Sequence, residues 1–575
     1  MHPFKKQNII SILCLLLTAT NIMYMHICVG PLSDIERWID LWEPLCFVTF
    51  DTTIFYLIGM LLSGGKPKFA HFFSFFLSLL WCIVNILYSR FFHVYFNYNT
   101  ISEIRNLGDS FVWDSIIAGF RIIDLALLVS ISLFLLLIKN VQFDRGSFYQ
   151  RLTLISKAAF LPIIVIMIYG GGKSLLSAAS ELRHITNRVR GRTLFPEYRE
   201  KDILDNGIFC AQLFDDAICS SGDKELDENQ IQEIKNYISF NHPKIKCEEN
   251  KGKNLIFIII ESYLSISSDL CFDGKEVTPT LNKLKHDSSV YYNGKVMSNI
   301  KLGESGDGQF IYMTGLLPLK NKITTSTFSN HKISALPALF NRNNSINNVH
   351  SQTIMTIPTS KTMWKQEEMC QTYGIDILYS TEDLRHKYIN DSTLFNYGIQ
   401  QLKKNDLQTP FFYTLLTLSM HGPYTNNSQD YNFNFPENYS KEFCNYLESC
   451  HFMDKQLGVF LQELKMNGLF DNSVIAIVAD HEAHAENLKM NEEEIKGKEL
   501  PLYIINSDID TDKWWHGRIN QIDLFPTIID IMGFDTDWRG LGCSILDSAS
   551  YHNRINDKTQ IISESIIESD FFRKY

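Results

Sequence analysis

The chain has 575 residues, 45% of them hydrophobic, and a formal net charge of −11. This length exceeds that of one ordinary domain and is enough to bury a sizeable core. Its lysines and arginines form no stripe interleaved with aromatic residues, so the sequence argues against nucleic acid as a partner. The mean hydropathy of −0.07 averages two unlike parts, because the long apolar runs are concentrated in the N-terminal third.

Five apolar segments predict membrane-spanning helices, since about 20 apolar residues cross the hydrocarbon core of a bilayer. The predicted spans are 9–28, 44–64, 69–91, 116–138 and 155–172. The first is longer than the roughly 7–15 residues of a signal-peptide core, and no small-residue cleavage site follows it. We therefore predict a five-span transmembrane anchor over residues 1–172.

Basic residues indicate how this anchor is oriented, because lysine and arginine accumulate in cytoplasmic loops. Those that flank the predicted spans on one side are Lys5, Lys6, Lys66, Lys68, Lys139 and Arg145. With an odd number of spans, everything after residue 172 lies on the opposite, external side.

Asp51, Arg121 and Asp124 are charged residues inside the predicted spans. Charge within a bilayer is costly and is usually paired or functional. Arg121 and Asp124 are three residues apart, which places them on one face of a helix. We predict an internal ion pair between them.

Eight of the twelve cysteines lie in the exported part, an even number compatible with disulfides in an oxidising compartment. Cys210 and Cys219 are the best local pair. Cys444 and Cys450 are six apart in a predicted helix, about 9 Å along its axis, and should not bond to each other.

The exported part reads as an α/β domain. Residues 173–250 form a polar connector, after which continuous apolar runs of strand length alternate with helical patterns. The predicted strands are 254–261, 411–419, 473–480 and 500–506, and the clearest helix spans 440–466. Such runs are typical of a largely parallel sheet covered by helices on both faces, so we predict one α/β domain over 251–575.

Polar side chains end two of these strands. Glu261 closes the first, and Asp480 with His481 closes a later one. Ligands of open α/β sheets bind beyond the carboxyl ends of the strands, so these three side chains are expected to converge. Carboxylates and an imidazole suit a divalent cation, Mn²⁺, Mg²⁺ or Zn²⁺. Glu482 and His484 are interpreted as neighbours of the site rather than ligands.

A candidate nucleophile lies in the stretch "KLGESGDGQFIYMTG", residues 301–315. Ser305 sits in its glycine-rich turn, just before a helical pattern. A hydroxyl at a helix N-terminus beside a metal ion can ionise, and the neighbouring N–H groups suit a phosphate oxyanion.

At these residues the chain resembles the lipoteichoic acid synthase branch of the alkaline phosphatase/sulfatase superfamily. The resemblance covers nearly the whole chain, including the five-span anchor. The motifs that carry it are "NLIFIIIESYLS", "VTPTLNKL", "GESGDGQF", "LLTLSMHGPY", "FDNSVIAIVADHEAH" and "QIDLFPTIIDIMG". It implies a sulfatase-like exported domain and a multi-pass protein of the bacterial cell (inner) membrane, with its catalytic domain on the extracytoplasmic or periplasmic side.

The resemblance also implies roles for individual residues. Glu261, Asp480 and His481 match metal ligands, and Ser305 occupies the nucleophile position, where threonine is usual, and adds a fourth ligand. One divalent ion is implied, Mn²⁺ first, with Mg²⁺ or Zn²⁺ as alternatives. Trp364 and His421 match residues that line the pocket for the substrate headgroup.

Two positions depart from the family pattern. The arginine that usually follows the pocket tryptophan by two positions is Gln366 here. A histidine expected seven residues before that tryptophan is Ile357, although His350 is a candidate substitute after a local insertion. Both departures concern contacts to the substrate, and neither touches the metal centre.

The implied reaction moves a phosphoglycerol headgroup from a membrane phospholipid, phosphatidylglycerol, to an acceptor hydroxyl on a cell-envelope glycan or glycolipid. A phosphoethanolamine transferase acting on lipid A or a cell-surface glycan is the main alternative, and a related phosphodiester hydrolase is another. A true sulfatase needs a C/S-x-P-x-R turn, which "ESGDGQF" lacks. A catalytically dead scaffold is disfavoured because all four chemical positions are kept.

Overall fold

The structure is a computed structural model of the chain. It describes residues 3–29, 42–92, 95–96, 112–113, 116–117, 119–141, 149–150, 153–161, 164, 225–239, 248–320, 322–344, 351–384, 389–404, 409–422, 424, 431, 433–483, 488–490 and 499–575. The chain forms two compact units, one of residues 1–101 and 116–221 and the other of 102–115 and 222–575.

The first unit is helical. Its helices are α1 (Pro3–Val29), α2 (Trp42–Leu62), α3 (Pro67–Phe92) and α4 (Leu125–Ile138). Among the described residues, two stretches are long and apolar enough to cross a membrane, Ile9–Val29 and Pro67–Arg90, and two shorter apolar helices accompany them. Most of the predicted fifth span, 155–172, lies outside the described residues, so five spans remain a prediction.

The predicted Arg121–Asp124 ion pair is wrong. Arg121 has extended backbone just before the helical turn that contains Asp124, so the two residues do not share a helix face. The Asp124 carboxylate instead binds Arg90 of α3 in a two-pronged ion pair, with N···O distances of 2.6 and 2.7 Å. Tyr24 of α1 donates a further hydrogen bond to Asp124 at 3.2 Å. The charge is therefore neutralised between helices, while Arg121 contributes its backbone N–H.

The prediction that Cys444 and Cys450 do not bond to each other is confirmed. Cys444 and Cys450 are both free thiols, as their different helix faces require. Cys210, Cys219 and Cys247 lie outside the described residues, so the pairing of Cys210 with Cys219 stays a prediction.

The second unit is built on one large sheet. Its strands are β1 (Asn254–Ile260), β4 (Tyr291–Met297), β5 (Thr353–Thr356), β6 (Ile377–Tyr379), β7 (Phe412–Leu416), β8 (Ser473–Ala479), β9 (Leu500–Ile505) and β10 (Ile519–Asn520). Two short strands, β2 (Cys271–Phe272) and β3 (Lys275–Glu276), pair separately. The order across the sheet is β10-β4-β9-β8-β1-β7-β5-β6.

The predicted largely parallel sheet is confirmed. Strands β6, β5, β7, β1 and β8 run parallel to their neighbours, and β9 runs antiparallel between β8 and β4. All four strands predicted from the sequence are present within two or three residues of their expected ends. The central strands β1 and β8 are buried along their whole length, which is why their sequences are continuously apolar.

Helices cover this sheet. They are α5 (Glu228–Ser239), α6 (Pro279–Lys285), α7 (Glu304–Thr314), α8 (Thr324–Phe328), α9 (Leu336–Asn344), α10 (Gln366–Tyr373), α11 (Thr381–Leu384), α12 (Asp391–Lys404), α13 (Lys441–Met466), α14 (Leu524–Ile531), α15 (Asp557–Ser569) and α16 (Phe571–Lys574). Helix α13 matches the predicted 440–466 helix and begins at Ser440, whose Oγ accepts the Phe443 N–H.

Part of the predicted connector belongs to the core of this unit. Leu226 and Ile234 are 8% and 3% exposed and join the main apolar cluster. Tyr237 of α5 hydrogen-bonds Thr559 of α15 at 2.9 Å. Residues 225–239 therefore pack with the sheet domain and are not a free linker.

Candidate metal centre

Strand register brings Glu261 and Asp480 together. Strands β1 and β8 are parallel neighbours, with Ile260 opposite Ala479, so the next residue of each emerges at the same sheet edge. The Asp480 N–H continues the ladder by donating to Ile260 O at 3.1 Å. Two carboxylates thus stand side by side although more than 200 residues of sequence separate them.

The two oxygens of the Asp480 carboxylate have different roles. Oδ1 accepts the backbone N–H groups of Ser262 and His481, each at 2.8 Å, and so joins the two strand ends. Oδ2 lies 3.8 Å from His481 Nε2, within the cluster of Glu261, Asp480 and His481. The first oxygen fixes the loop and the second remains available as a ligand.

The backbone sets the tautomer of His481. Its Nδ1 lies 2.8 Å from the carbonyl oxygen of Glu482, which only accepts hydrogen bonds, so Nδ1 carries the proton. In the neutral ring Nε2 then has a lone pair, and it points at the cluster, 3.4 Å from Glu261 Oε1. This arrangement is the usual way of orienting a histidine ligand.

Ser305 completes the group from a different element. It is the second residue of α7, and its Oγ lies 3.1 Å from Glu261 Oε2 and 3.3 Å from His481 Nε2. Gly308 allows this approach, because a Cβ there would lie 2.3 Å from the Asp480 carbonyl oxygen. The glycine-rich sequence therefore lets the helix N-terminus rest directly on the end of β8.

Backbone strain is concentrated around the same atoms. Ser262, Glu304 and Trp364 all have left-handed backbone, with φ of 49°, 42° and 49°. Each such non-glycine residue costs on the order of 1–3 kcal/mol and persists where surrounding contacts enforce it. Ser262 follows Glu261, and Glu304 precedes Ser305, so the strained turns are those that aim these two side chains.

Glu261, Asp480 and His481 shift one another's pKa values. Burial and the charge of Glu261 raise the pKa of Asp480 to about 8. Burial also raises the pKa of Glu261, but the hydrogen bond and charge of His481 outweigh it and bring the value to about 2. Burial lowers the pKa of His481, yet the charges of Asp480 and Glu261 raise it well above its ordinary value.

These residues fit a divalent cation. One ligand atom from each of Glu261, Asp480 and His481 lies within 4.8 Å of the others, and all three side chains are buried. The donor set combines carboxylate oxygens with one imidazole nitrogen, which suits Mn²⁺, Mg²⁺ or Zn²⁺. The serine hydroxyl adjoins the same group.

The structure describes two of the three predicted pocket residues. Trp364 lies against Gly306, the residue after Ser305, where an added Cβ would be 3.2 Å from the indole Cγ. His421 lies in the turn that follows β7. His421 Nδ1 lies 2.7 Å from Gly422 O, so it is the protonated nitrogen and Nε2 has the lone pair. His350 lies outside the described residues.

The two family departures have structural explanations. Gln366 is 4% exposed and exchanges two amide hydrogen bonds with Gln309 of α7, at 2.7 and 3.2 Å. Ile357 is fully buried, and its N–H bonds Tyr379 O in the sheet. Both positions therefore serve the core, and neither adds a charge at the site.

Several supporting residues were not identified from the sequence. Thr417 Oγ accepts the Glu261 N–H at 3.0 Å, and Gln521 Nε2 donates to the Asp480 carbonyl at 2.6 Å. Glu304 Oε2 lies 3.8 Å from His481 Nδ1. Asp391 accepts the Leu418 and Ser419 N–H groups and holds the turn leading to His421. Thr417 directly follows an apolar strand, and this position in the sequence could have identified it as a residue of the site.

Replacing Gly308 by alanine should damage the site. The new Cβ would meet the Asp480 backbone, which is fixed in the sheet, so α7 must move and carry Ser305 away from Glu261. We expect a loss of stability of about 1–3 kcal/mol from overpacking. We also expect Mn²⁺ affinity to fall by roughly tenfold or more, as for other changes that displace ligands. Calorimetric titration and thermal melting of the full-length protein measure both effects.

Gly468→Ala is the matched control. A Cβ at Gly468 has nothing within 4 Å, and φ is +70°, so this substitution carries backbone strain without a clash. Its cost should be about 1–2 kcal/mol of stability, with Mn²⁺ affinity unchanged. Equal Mn²⁺ affinity in Gly308→Ala and the wild type would refute the packing argument.

The comparison with protein families agrees with this architecture. Residues 253–534 match the family model described as Sulfatase. They include the strands β1 and β8 and all four clustered side chains. The second unit therefore contains a sulfatase-family domain.

Similarity to individual proteins extends further along the chain. Lipoteichoic acid synthase 2 of Bacillus subtilis is 25% identical over 567 residues, covering 93% of this chain and 83% of that protein. Lipoteichoic acid synthase of Staphylococcus saprophyticus is 23% identical, covering 92% and 82%. The chain is thus similar to lipoteichoic acid synthases over nearly its whole length.

A solved structure resembles the chain as well. The lipoteichoic acid synthase LtaP from Listeria monocytogenes has a TM-score of 0.47 and 22% identity, covering 56% of this chain and 82% of that one.

Proposed function

We propose that this protein is a metal-dependent membrane phosphotransferase that moves the phosphoglycerol headgroup of phosphatidylglycerol to an acceptor hydroxyl through a covalent intermediate on Ser305. The observation that carries the proposal is the position of Ser305 Oγ, 3.1 Å from Glu261 Oε2 and 3.3 Å from His481 Nε2. It also lies on the first turn of α7, where backbone N–H groups and the helix dipole favour an anionic phosphoryl group.

Glu261, Asp480, His481 and Ser305 would hold one divalent cation, with Mn²⁺ preferred over Mg²⁺ or Zn²⁺. A cation bound there lowers the pKa of the serine hydroxyl and neutralises charge on the transferred group. The protein residues orient the reaction: Asp480 Oδ1 fixes the loop, the Glu482 carbonyl fixes the His481 ring, and Thr417 fixes the backbone of Glu261.

The transfer proceeds in two balanced steps. In the first, Ser305 Oγ attacks phosphorus, the bond from phosphorus to the diacylglycerol oxygen breaks, and the serine proton ends on diacylglycerol. In the second, the acceptor hydroxyl attacks the same phosphorus, the Ser305 O–P bond breaks, and the acceptor proton returns to Ser305. Splitting one displacement into two is the advantage of a covalent nucleophile.

A lipid donor and a glycan or glycolipid acceptor are supported by the similarity of the chain to lipoteichoic acid synthases. A domain tethered to a membrane meets phospholipid headgroups at high effective concentration. We propose that Trp364, which lies against Gly306, and His421 line the headgroup side of the site. His350 is the third residue proposed for this pocket.

The proposed organisation is a five-span membrane anchor over residues 1–172, a connector over 173–250 and an extracytoplasmic catalytic domain over 251–575. Two described helices with membrane-spanning length and composition support the anchor.

Limited proteolysis tests the boundary between anchor and domain. Cleavage between residues 173 and 222 should release a soluble domain that melts cooperatively, because α5 and everything after it pack as one unit. Cleavage inside α5 should lower the melting temperature, since Ile234 is part of the main core. A fragment starting near residue 222 that is unfolded by circular dichroism would contradict this organisation.

Intact-mass measurement tests the reaction. The full-length protein, purified in detergent with Mn²⁺, is incubated with phosphatidylglycerol and then denatured in acid. We expect one phosphoglycerol adduct, located on Ser305 by peptide mapping, together with released diacylglycerol.

Parallel incubations with phosphatidylethanolamine separate the two donor classes. A phosphoethanolamine adduct in place of phosphoglycerol would move the protein to the phosphoethanolamine transferases. Diacylglycerol release without any adduct, in rapid-quench samples, would replace the covalent mechanism by direct hydrolysis.

A further inference from the structure

Two adjoining cavities lie along the sheet edge that carries the metal centre. The larger has a volume of about 650 Å³ and lies between helix α5 and residues 552–558. The smaller, about 350 Å³, is lined by the last residues of β4 and β10, by Trp515 and Arg518 ahead of β10, and by residues 551–553 ahead of α15. They share His552 and Asn553, so they form one continuous groove. The larger cavity falls within the roughly 300–1,000 Å³ of small-molecule sites.

The groove lies on the same side of the sheet as the reaction centre. Met297 ends β4 and Asn520 ends β10, and both strands run in the direction of β8. β10 stands three strands from β8 in the sheet order, about 14 Å at normal strand spacing. That distance is within the reach of a short oligosaccharide whose end enters the site.

Hydrogen bonds link the groove to the metal centre. Asn520 Nδ2 donates to Asn553 Oδ1 at 3.0 Å, which ties together two residues of the smaller cavity. The next residue, Gln521, donates to the Asp480 carbonyl at 2.6 Å. The groove wall and the Asp480 strand end are thus held by one continuous set of contacts.

The carboxamides of the groove suit a hydroxyl-rich ligand. Half of the residues lining the larger cavity carry carboxamides, namely Asn229, Gln232, Asn236, Asn553 and Asn556. A carboxamide both donates and accepts hydrogen bonds, as sugar hydroxyls do. Glu233 and Lys558 neutralise each other at 2.8 Å, and Arg518 of the smaller cavity pairs with Glu499 at 3.1 Å.

Aromatic rings supply the apolar part of such a site. Trp515 and Tyr551 line the smaller cavity and stack at 5.0 Å with a 20° angle between rings. Both are held in place: Trp515 Nε1 donates to Arg518 O, and the Tyr551 hydroxyl donates to Asp523. Rigid aromatic surface beside amide groups matches a sugar ring, which has an apolar C–H face and a polar rim.

We propose that this groove binds the hexose rings of a glycan acceptor and presents its terminal hydroxyl to Ser305. The inference rests on the proposed function for the identity of the reaction, but the binding itself requires neither metal nor phosphoryl transfer. It assigns the acceptor to a surface made by α5 and the segment 551–558.

Direct binding to soluble sugars tests the proposal. Full-length protein in a zwitterionic detergent without a sugar headgroup is examined by saturation-transfer NMR with gentiobiose, cellobiose, maltose and diacetylchitobiose. The test variant combines Gln232→Ala and Asn236→Ala, two exposed residues that bond each other at 2.8 Å on a helix that alanine favours. The control is Lys235→Ala, exposed on the same helix but outside the cavity.

We expect at least one disaccharide to bind, the double variant to lose affinity by roughly tenfold or more, and Lys235→Ala to bind like the wild type. Ser305→Ala should bind sugar normally, which separates this proposal from the transfer reaction. Absence of binding to all four sugars, or equal affinity in the double variant and wild type, would overturn it. So would binding of glycerol 3-phosphate, in place of sugar, that depends on Gln232 and Asn236.

Discussion

Ser305→Ala should abolish the phosphoglycerol adduct and reduce diacylglycerol release by roughly four orders of magnitude or more, as expected when a nucleophile that acts with its neighbours as a unit is removed. Alanine lacks the hydroxyl that lies between Glu261 and His481, so no covalent intermediate can form. The effect is chemical, because Ser305 lies on the first turn of α7, where alanine is compatible with the helix. The measurement is intact mass after incubation with phosphatidylglycerol and Mn²⁺.

Ser305→Thr is the matched control for this substitution. Threonine keeps the hydroxyl and is the residue that the resembled family usually carries there, so adduct formation should persist at a reduced rate. Both variants should melt near the wild-type temperature. Ser305→Ala should bind Mn²⁺ more weakly than the wild type but still load at saturating Mn²⁺, because Glu261, Asp480 and His481 remain. A folded, metal-loaded Ser305→Ala protein that released diacylglycerol at near the wild-type rate would exclude Ser305 as nucleophile.

The convergence of Glu261 with Asp480 and His481 was predictable because of where the residues stand. Each follows a continuous apolar run, and buried parallel strands place their carboxyl ends at one edge of a sheet. The apolar pattern does not indicate which residues of the two strands pair, because two uniformly apolar strands would bury similar apolar surface in any register. That Ile260 lies opposite Ala479 follows from the packed sheet as a whole.

Supporting contacts were harder to predict because they join residues distant in sequence. Gln521 reaches the Asp480 carbonyl only because β10 ends beside β4, on the far side of the antiparallel strand β9. Strand β10 has two residues, too few to show any periodicity. The sequence shows a glycine at position 308, but it does not show that the Asp480 backbone packs against that glycine.

The Arg121–Asp124 error has a similar origin. Spacing on a helix predicts a pair only if both residues lie within the helix, and here the regular helix begins after Asp124. The guanidinium that neutralises Asp124 comes from Arg90, at the end of a different predicted span. Packing between helices, which local spacing does not encode, decided the partner.

Removing any one metal ligand should disable the centre almost completely. Asp480→Asn is the sharpest change, because the asparagine carbonyl can still accept the Ser262 and His481 N–H groups while the charge of the second oxygen is lost. Glu261→Gln likewise keeps the size of a side chain that is 5% exposed. We expect each to lower Mn²⁺ affinity by roughly 10–100-fold or more and to suppress adduct formation to the level of metal-free protein.

Asp454→Asn controls for the loss of a buried aspartate in general. Asp454 is buried and accepts the Thr280 and Leu281 N–H groups at 2.8 Å, outside the metal cluster. Its substitution should cost about 1–3 kcal/mol of stability while Mn²⁺ binding and adduct formation are retained.

The double variant Glu261→Gln with Asp480→Asn should be little worse than either single change, because the ligands act as one unit. Chelation should abolish the wild-type adduct, and added Mn²⁺ should restore it. Wild-type adduct formation that persisted after complete chelation, or additive losses in the double variant, would rule out the metal centre that these side chains are proposed to form.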